Sequence, residues 1–277
     1  MIRSTAIFGK GGTGKTFVTA HVAASLEYSG VRTLVVGCDP KQDTRRALTA
    51  DWAPSLSEAA QDTHGGAGAV QAKAVITPVS EYVDVMEMGG PPLLLGLQGA
   101  HFEEAWAFFE AQELWERYQH ILFDVNEERF DRACLPLLRQ VEAVIGVAND
   151  GPESLFVVNR MARAVLLGNY EGETKARLLG MVLNRSTDPS VFDAYMQQTK
   201  FLPLGTTPED PELGRLRDFH RTLFSLQPEP PQYKTVVEDY LRIGDYLQGA
   251  PFLLLPVCPL PDEDLWKLAP AAGLKVS

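Results

Sequence analysis

The chain of 277 residues carries a formal net charge of −11 at pH 7, and 45% of its residues are hydrophobic. This length and apolar content suffice for the core of one large α/β domain, so we expect residues 1–277 to form a single domain. The acidic balance disfavours nucleic-acid binding, and no apolar run approaches the roughly 20 residues of a membrane span. We therefore expect a cytoplasmic protein with neither nucleic acid nor membrane as a partner.

Short apolar runs alternate with amphipathic stretches along the chain, which is typical of βαβ units and a mostly parallel sheet. Strands are predicted at 4–9, 32–39, 82–88, 120–125, 142–150, 177–186 and 200–205. Helices are predicted at 16–30, 103–118, 154–167 and 235–247. Residues 62–73 have the composition of a loop, and the Pro-rich stretch that begins near 250 predicts an extended tail over about 250–277. The expected architecture is a sheet with helices on both faces.

A glycine-rich stretch joins the first predicted strand to the first predicted helix. Residues 9–16, GKGGTGKT, match the phosphate-binding pattern G-x-x-x-x-G-K-S/T in the strand–loop–helix context that this pattern requires. Glycines let backbone N–H groups approach phosphate oxygens, and the helix start adds its positive dipole end. We predict that Lys15 neutralises the β- and γ-phosphates of ATP and that the Thr16 hydroxyl binds Mg2+. The predicted nucleotide contacts here are Gly11, Gly12, Thr13, Gly14, Lys15, Thr16 and Phe17.

A second lysine, Lys10, enters the same loop five residues before Lys15. The run K-G-G-x-G-K-S/T resembles that of the deviant Walker A ATPases, a group that includes the nitrogenase iron protein, the Min/Par-type ATPases and the arsenite-pump ATPases. In that family the extra lysine reaches across a nucleotide-sandwiched dimer. The resemblance therefore implies an α/β P-loop NTPase-type fold, a catalytic role for Lys10 and a homodimer that ATP closes.

The residues after the second predicted strand narrow the resemblance. Residues 37–44, GCDPKQDT, are similar to a run in the nitrogenase iron protein and in the iron-protein-like subunit of light-independent protochlorophyllide reductase. This resemblance implies that the run is a first switch that responds to the nucleotide, with Asp39 positioning water or acting as a base. It also implies that Lys41 lies at the nucleotide interface and that Asp43 contributes to the Mg2+ environment. Carboxylates at the end of a strand beside a phosphate loop are also chemically suited to handling metal and water.

The fourth predicted strand ends in Asp124, which the resemblance makes the carboxylate that holds Mg2+ through water. The family pattern D-V-x-G-D that begins there is D-V-N-E-E in this chain, so Glu127 replaces a glycine and Glu128 an aspartate. Because glutamate restricts the backbone and adds negative charge, we expect slow or differently timed ATP hydrolysis. The resemblance also makes Asn184 the adenine contact, with Arg185 beside the base.

The 4Fe–4S cluster of iron proteins needs ligands that this chain lacks at the expected places. A cluster that bridges a symmetric dimer takes two cysteines from each subunit. Matching the segments places Leu97 and Asp131 at those positions, and Ala100 at the arginine with which the family docks. The cysteines of the chain are Cys38, Cys134 and Cys258. We therefore expect no 4Fe–4S cluster.

Three interpretations of function follow from these residues. The preferred one is a homodimeric, ATP-dependent switch that lacks a cluster and acts on an unidentified protein partner. The alternative is an ATP-dependent electron donor whose cluster is held by an unusual ligand set. A third is a Min/Par-type positioning ATPase, which the acidic charge and the absence of a C-terminal amphipathic helix disfavour.

Overall fold

Eight strands form one sheet in the computed structural model, which describes residues 2–39, 41–63, 66–89, 100–125, 135–226, 228, 230–251 and 256–268. The strands are β1 (Ser4–Gly9), β2 (Thr33–Gly37), β3 (Thr77–Pro78), β4 (Val83–Glu87), β5 (His120–Asp124), β6 (Ala143–Ala148), β7 (Arg177–Ser186) and β8 (Pro203–Pro208). Their order is β3-β4-β2-β5-β1-β6-β7-β8, with every pair parallel except β3–β4. The carboxyl ends of the parallel strands therefore share one edge of the sheet.

Helices cover both faces of this sheet. Within the described residues they are α1 (Lys15–Tyr28), α2 (Asp43–Leu48), α3 (Leu56–Gln61), α4 (Ala72–Val75), α5 (Ala100–Ala111), α6 (Leu114–Arg117), α7 (Leu135–Gln140), α8 (Pro152–Tyr170), α9 (Ser190–Thr199), α10 (Pro211–Leu216), α11 (Lys234–Leu247) and α12 (Asp262–Leu265). Alternation along β1 separates two apolar layers: Ala6 and Phe8 pack with α5 and α8, whereas Ile7 packs with α1 and α11. A strand buried at every position is expected in a parallel sheet with two covered faces.

Several predicted elements differ from the observed ones. The predicted helix 103–118 is wrong as a single helix, because the chain breaks between α5 and α6, where Glu113 adopts a φ of 51°. The predicted loop 62–73 contains a 3-10 turn at Ala67–Ala69 and reaches into α4. The last strand lies at Pro203–Pro208 rather than at 200–205, and the predicted tail forms α12 at its described end. The single-domain assignment and the tail boundary near 250 stay predictions.

Several residues of the sequence interpretation lie outside the described part of the chain. They are Leu97, Glu127, Glu128, Asp131 and Cys134. Ala100 is the first residue of α5.

Candidate nucleotide-binding site

The glycine-rich loop leaves β1 at the carboxyl edge of the sheet and runs directly into α1. Gly14 stands immediately before α1 with a φ of 85°, a left-handed conformation that favours glycine. A Cβ at this position would overlap the side-chain amide of Asn184. The loop conformation therefore depends on glycine both for its backbone angle and for the close approach of β7.

The side chains of the loop are held by its own backbone. The carbonyl oxygen of Lys10 accepts hydrogen bonds from the Thr13 hydroxyl at 2.8 Å and from the Thr13 N–H at 3.2 Å. The same oxygen accepts a bond from Lys15 Nζ at 3.2 Å. The ammonium group of Lys15 thus lies over the loop, where it can meet phosphate oxygens.

Two hydroxyl groups converge on the carboxylate at the end of β5. Asp124 Oδ2 accepts from Thr16 Oγ1 at 2.7 Å and from Thr44 Oγ1 at 2.9 Å. Burial raises the pKa of Asp124, and the two hydroxyl bonds oppose that shift. Hydroxyl and carboxylate oxygens are ligands that suit Mg2+, so Thr16 and Asp124 fit such a cation.

Asp43, the other predicted metal ligand, lies in the same cavity but makes a different contact. Its Oδ1 accepts a hydrogen bond of 2.7 Å from Arg46 Nη2, on the exposed side of α2. Among the residues that the structure describes, no group of three or more His, Cys, Asp or Glu side chains is arranged to hold a metal ion. A cation here would therefore rely on Thr16, Asp124 and oxygens of its nucleotide or water.

Asp39 and Lys41 form the turn that leads from β2 into α2. Asp39 Oδ1 accepts from the Lys41 N–H at 2.9 Å, and the Asp39 carbonyl oxygen accepts from the Gln42 N–H at 2.9 Å. Gln42 then takes a left-handed φ of 56° before the helix begins. This turn places both predicted residues on the wall of the cavity that the phosphate loop opens into.

Asn184 lies buried at the end of β7 and joins that strand to the phosphate loop. Its Nδ2 donates to the Thr13 carbonyl oxygen at 2.7 Å. Its Oδ1 is buried and has no hydrogen-bond partner among the described residues. A buried amide oxygen without a partner is costly unless a ligand supplies a donor, so Asn184 marks a position where a donor is expected.

Arg185 spans the mouth of the site. Its guanidinium group donates to both carboxylate oxygens of Glu209, at 2.8 and 2.9 Å, and its Nη1 donates to the Gly12 carbonyl oxygen at 3.3 Å. The Arg185 hydrogen bonds hold the pKa of Glu209 below its usual value. The pair links the ends of β7 and β8 to the phosphate loop.

Asp150, after β6, fixes the loop that follows Arg185. Its carboxylate accepts from Ser186 Oγ at 2.7 Å, from Thr187 Oγ1 at 2.9 Å and from the Asp188 N–H at 2.9 Å. These bonds anchor the backbone next to Arg185, which has an unusual φ of 58°. Asp150 therefore supports the site from beneath without lining it.

Lys10 points away from this cavity. Its ammonium group forms an ion pair with Glu153, in the first turn of α8. Glu153 is largely exposed, and the Lys10 hydrogen bond lowers its pKa. Lys10 is therefore held within the chain by a contact that solvent can reach.

The site residues enclose a cavity of about 600 Å³. The predicted residues that line it are Gly11, Gly12, Gly14, Lys15, Thr16, Phe17, Asp39, Lys41, Asp43, Asp124, Asn184 and Arg185. Of the predicted site residues, Thr13 and Lys10 do not line it. The cavity continues beyond the loop to a wall formed by the β8–α10 connection, Leu213, Gly214 and Arg217. The lining of the cavity therefore extends from the phosphate loop to α10.

Some residues of the site were not predicted from the sequence. Thr44 occupies the S/T position of the quoted first-switch run, so the motif contained a signal for it. Glu153, Glu209 and Arg217 belong to no motif, and they reach the site because distant strands are neighbours in the sheet.

The cysteines that the structure describes do not fit a shared cluster. Cys38 is buried after β2, with its Sγ 3.7 Å from Met88 Sδ. Cys258 is exposed, and its N–H bonds to the carbonyl oxygen of Thr199, at the end of α9. Because α9 returns to the amino edge of the sheet, these two thiols lie towards opposite edges. They cannot together supply one subunit's pair of ligands.

Comparison with known proteins finds relatives over nearly the whole chain. The model of the family described as 4Fe-4S iron sulfur cluster binding proteins, NifH/frxC family, matches residues 3–275. The iron-sulfur ATP-binding protein of light-independent protochlorophyllide reductase from Pelodictyon phaeoclathratiforme is 26% identical, covering 95% of this chain and 96% of that protein. The corresponding protein of Roseobacter denitrificans is 29% identical, over 95% of this chain and 86% of that protein.

Solved structures share the fold at lower identity. The septum site-determining protein MinD of Pyrococcus horikoshii, complexed with Mg-ADP, has a TM-score of 0.69 at 19% identity, covering 90% of this chain and 97% of that one. A chain of the MinC:MinD cell division protein complex of Aquifex aeolicus has a TM-score of 0.65 at 17% identity, covering 92% of this chain and 99% of that one. These likenesses confirm the predicted fold class, an α/β P-loop NTPase-type fold. Among the described residues, no helix is both long and apolar enough to cross a bilayer.

Proposed function

The chain belongs to the NifH/frxC family of 4Fe-4S iron sulfur cluster binding proteins, and from this premise we propose that it is an ATP-hydrolysing homodimeric switch that acts on a protein partner without holding a cluster. The observation that carries the nucleotide part is the 2.7 Å hydrogen bond between Thr16 Oγ1 and Asp124 Oδ2. This bond joins the phosphate loop to the end of a neighbouring strand, which is where nucleotide-binding α/β proteins handle a phosphate-bound cation.

The residues of the cavity have complementary roles in this proposal. Mg2+ bound with ATP would offset the charge of the β- and γ-phosphates. Thr16 and Asp124 would hold that cation, and Asp43 would add its carboxylate on leaving Arg46. Lys15 would neutralise the transferred phosphate from the loop, and Asp39 would orient the attacking water. The glutamates at 127 and 128 underlie the expectation of slow hydrolysis.

The unpartnered Oδ1 of Asn184 supports adenine as the base. An acceptor in this position matches the 6-amino donor of adenine, whereas the 6-oxo group of hypoxanthine would leave two acceptors facing each other. We expect the unaltered protein to bind ATP about tenfold more tightly than ITP in competition titrations, as the loss of one buried hydrogen bond requires. Equal affinities would remove the base assignment, while the phosphate-loop part of the proposal would stand.

Lys10 supports the homodimer in this proposal. The family resemblance gives this lysine a role across the dimer, and in the single chain its ammonium group is paired with Glu153. When the dimer closes, Lys10 would leave Glu153 and bind phosphate oxygens of the nucleotide held by the other subunit. Because exposed ion pairs contribute little to stability, the exchange costs little.

Sedimentation velocity with Mg2+ and a nonhydrolysable ATP analogue tests the dimer. We expect the unaltered chain to dimerise, and Lys10→Ala to remain monomeric while still binding ADP. Lys73→Ala, which removes an exposed lysine on α4, is the matched control and should dimerise normally. Glu153→Gln should dimerise at a lower protein concentration, because Lys10 is released. Unchanged dimerisation of Lys10→Ala would refute the role in trans.

We propose that the protein lacks a cluster because Leu97 and Asp131 stand at the positions where the family has its cluster cysteines. An ATP-dependent electron donor is the second candidate, and the family description favours it. Iron and sulfide analysis of protein purified and reconstituted without oxygen separates the two. We expect a colourless protein, whereas about four iron atoms per dimer with a visible iron–sulfur spectrum would establish the electron donor.

The partner in this proposal is a protein rather than a membrane or DNA. The net charge of −11 disfavours both anionic surfaces. Sedimentation with anionic liposomes and with DNA, each in the presence of ATP, should leave the protein in the supernatant. Sedimentation of the protein together with the liposomes or the DNA would favour the Min/Par-type positioning function instead.

A further inference from the structure

Helix α2, which carries the first switch, is attached to three different parts of the molecule through consecutive residues. The Thr44 hydroxyl donates to Asp124 Oδ2 at 2.9 Å. The Arg45 N–H donates to Glu87 Oε1, at the end of β4, at 2.6 Å. The Arg46 carbonyl oxygen, one residue later, bonds to a ring nitrogen of the distant His220. α2 is only six residues long, and these hydrogen bonds hold its position together with the packing of its buried residues.

The third attachment leads to the far wall of the nucleotide cavity. His220 directly follows the 3-10 turn Arg217–Phe219, and this turn continues from α10. Arg217 lines the cavity together with Leu213 and Gly214 of α10. The His220 N–H also bonds to the Arg217 carbonyl oxygen at 3.1 Å, so the histidine is fixed to that turn.

The geometry defines the chemistry of this contact. His220 Nδ1 lies 2.8 Å from the Arg46 carbonyl oxygen, which can only accept, so Nδ1 carries the hydrogen. His220 adopts a left-handed φ of 53°, a conformation in which asparagine and glycine are the least strained residues. An asparagine at 220 could therefore keep both the backbone and a donor near the position of Nδ1.

From these contacts we infer that His220 is a positioning residue that ties the first switch to the α10 wall of the cavity. This inference rests on the proposed function. Binding of the nucleoside part against α10 would set α2 through His220, and α2 would in turn set Thr44 against Asp124. The first switch is then already positioned when the γ-phosphate binds, so binding requires less ordering of α2.

Two substitutions at position 220 separate the hydrogen bond from the backbone conformation. His220→Gly keeps the left-handed backbone and removes the donor, whereas His220→Asn keeps both. Titration calorimetry with Mg-ATP analogue and Mg-ADP gives the ratio of the two affinities in each chain. We expect His220→Gly to lower the preference for the ATP analogue about fivefold, the value of one net hydrogen bond, and His220→Asn to retain it.

Hydrogen exchange provides a readout that does not depend on hydrolysis. In the unaltered chain and in His220→Asn, Mg-ADP should slow exchange of the α2 backbone, because the nucleoside end acts through position 220. In His220→Gly the same ligand should leave α2 exchange unchanged although ADP still binds. Identical ratios and identical α2 exchange in all three chains would overturn the inference.

Thr44→Val, alone and combined with His220→Gly, tests whether α2 connects Thr44 to His220. Valine keeps the shape of this buried side chain and removes the hydroxyl that reaches Asp124. If both residues act through α2, the double variant should lose no more ATP preference than the more affected single variant. Additive losses would overturn the tie. No nucleotide binding by the unaltered chain would overturn the proposed function and this inference together.

Discussion

Glu87 is a buried carboxyl group at the carboxyl end of β4, beside α2. Its Oε1 accepts the Arg45 N–H at 2.6 Å, and its Oε2 is buried without a hydrogen-bond partner in the described part of the chain. Gly37 on β2 makes room for this group, because a Cβ there would overlap Oε2. Burial raises the pKa of Glu87 to about 8. The carboxyl group is therefore mostly protonated at neutral pH.

The Glu87→Gln chain is expected to gain stability relative to the natural chain as the pH rises. The folded pKa of about 8 lies above the ordinary 4.5, so the stability contributed by the carboxyl group is fully present below pH 4.5 and lost as the pH approaches 8. At pH 7 this loss is about 3 kcal/mol, at about 1.4 kcal/mol per pH unit. Urea unfolding of both chains at pH 5 and pH 8 measures it. A constant difference between the chains would show that Glu87 does not titrate in this range.

The residues that were predicted from the sequence are those whose chemistry depends on local spacing. Gly14, Lys15 and Thr16 follow one another in a loop whose pattern fixes their geometry, and Asp124 ends an apolar strand. Glu87 could not be predicted in this way. It has no motif, and its role arises only because β4 lies beside β2 and brings it against α2.

At the scale of elements, strands were predicted better than short helices. The bounds of β1 and β7 agree with the predicted ones, because continuous apolar runs between turn residues mark a buried strand. α2 was missed because six residues are too few to show a helical period. The break after α5 was missed because Glu113 takes its left-handed conformation without a Gly or Pro to indicate it.

A buried amide on α8 holds the backbone of the tail at Leu260. Asn159 Nδ2 donates to the Leu260 carbonyl oxygen at 2.8 Å, and Asn159 Oδ1 accepts from the Leu260 N–H at 2.9 Å. The Tyr195 hydroxyl of α9 donates to the same Oδ1 at 3.0 Å. This side chain therefore replaces a partner strand for Leu260 and joins the tail to two helices.

Asn159→Ala is expected to release the tail from α8. The change leaves the Leu260 N–H and carbonyl and the Tyr195 hydroxyl without their partners, which costs about 2–3 kcal/mol for buried groups. Limited proteolysis of residues 256–268 should become faster than in the natural chain. Asp262→Asn is the control, because its partners Arg160 and Arg163 are exposed and their loss should matter little. Equal protease resistance of Asn159→Ala and the natural chain would contradict the role of the amide.

At the scale of the whole molecule, the alternation of strands and helices predicted a mostly parallel sheet but not its order. β1 lies between β5 and β6, so Ser4 pairs with Ile121 and Thr5 with Ala143. Such neighbours are far apart along the chain, and alternation alone is compatible with several orders. The order nevertheless creates the site, because it brings the ends of β1, β2, β5 and β7 to one edge.

Two buried histidines lie in separate parts of the molecule and are both neutral. His21 Nδ1 bonds to the Phe17 carbonyl oxygen at 2.8 Å, and its Nε2 accepts from the Leu223 N–H at 3.0 Å. His120 Nδ1 bonds to the Ile2 carbonyl oxygen at 2.8 Å. Burial lowers the pKa of each to about 4. Neither ring can take up a proton at mildly acidic pH without losing stability.

These histidines and Glu87 predict opposing effects of pH on stability. The folded pKa of each histidine lies below the ordinary 6.5, so its stability is fully present above pH 6.5 and lost as the pH falls towards 4. From pH 7 to pH 5 the two rings together should lose about 4 kcal/mol, whereas Glu87 recovers about 2.5 kcal/mol over the same interval as it becomes protonated. The natural chain should therefore show only a small net change between these pH values.

The Glu87→Gln chain removes one buried carboxyl group that opposes the histidines, whereas Asp124, whose pKa burial also raises, stays in both chains. From pH 7 to pH 5, the free energy of unfolding of Glu87→Gln in urea should therefore fall by about 2.5 kcal/mol more than that of the natural chain. Adding His21→Asn keeps a donor towards the Phe17 carbonyl oxygen and removes one titrating ring, so the fall should become about 2 kcal/mol smaller, even if the double variant is less stable overall. If the free energy of unfolding changed with pH to the same small extent in both chains, Glu87 would not be the group that offsets the titration of the histidines in the natural chain.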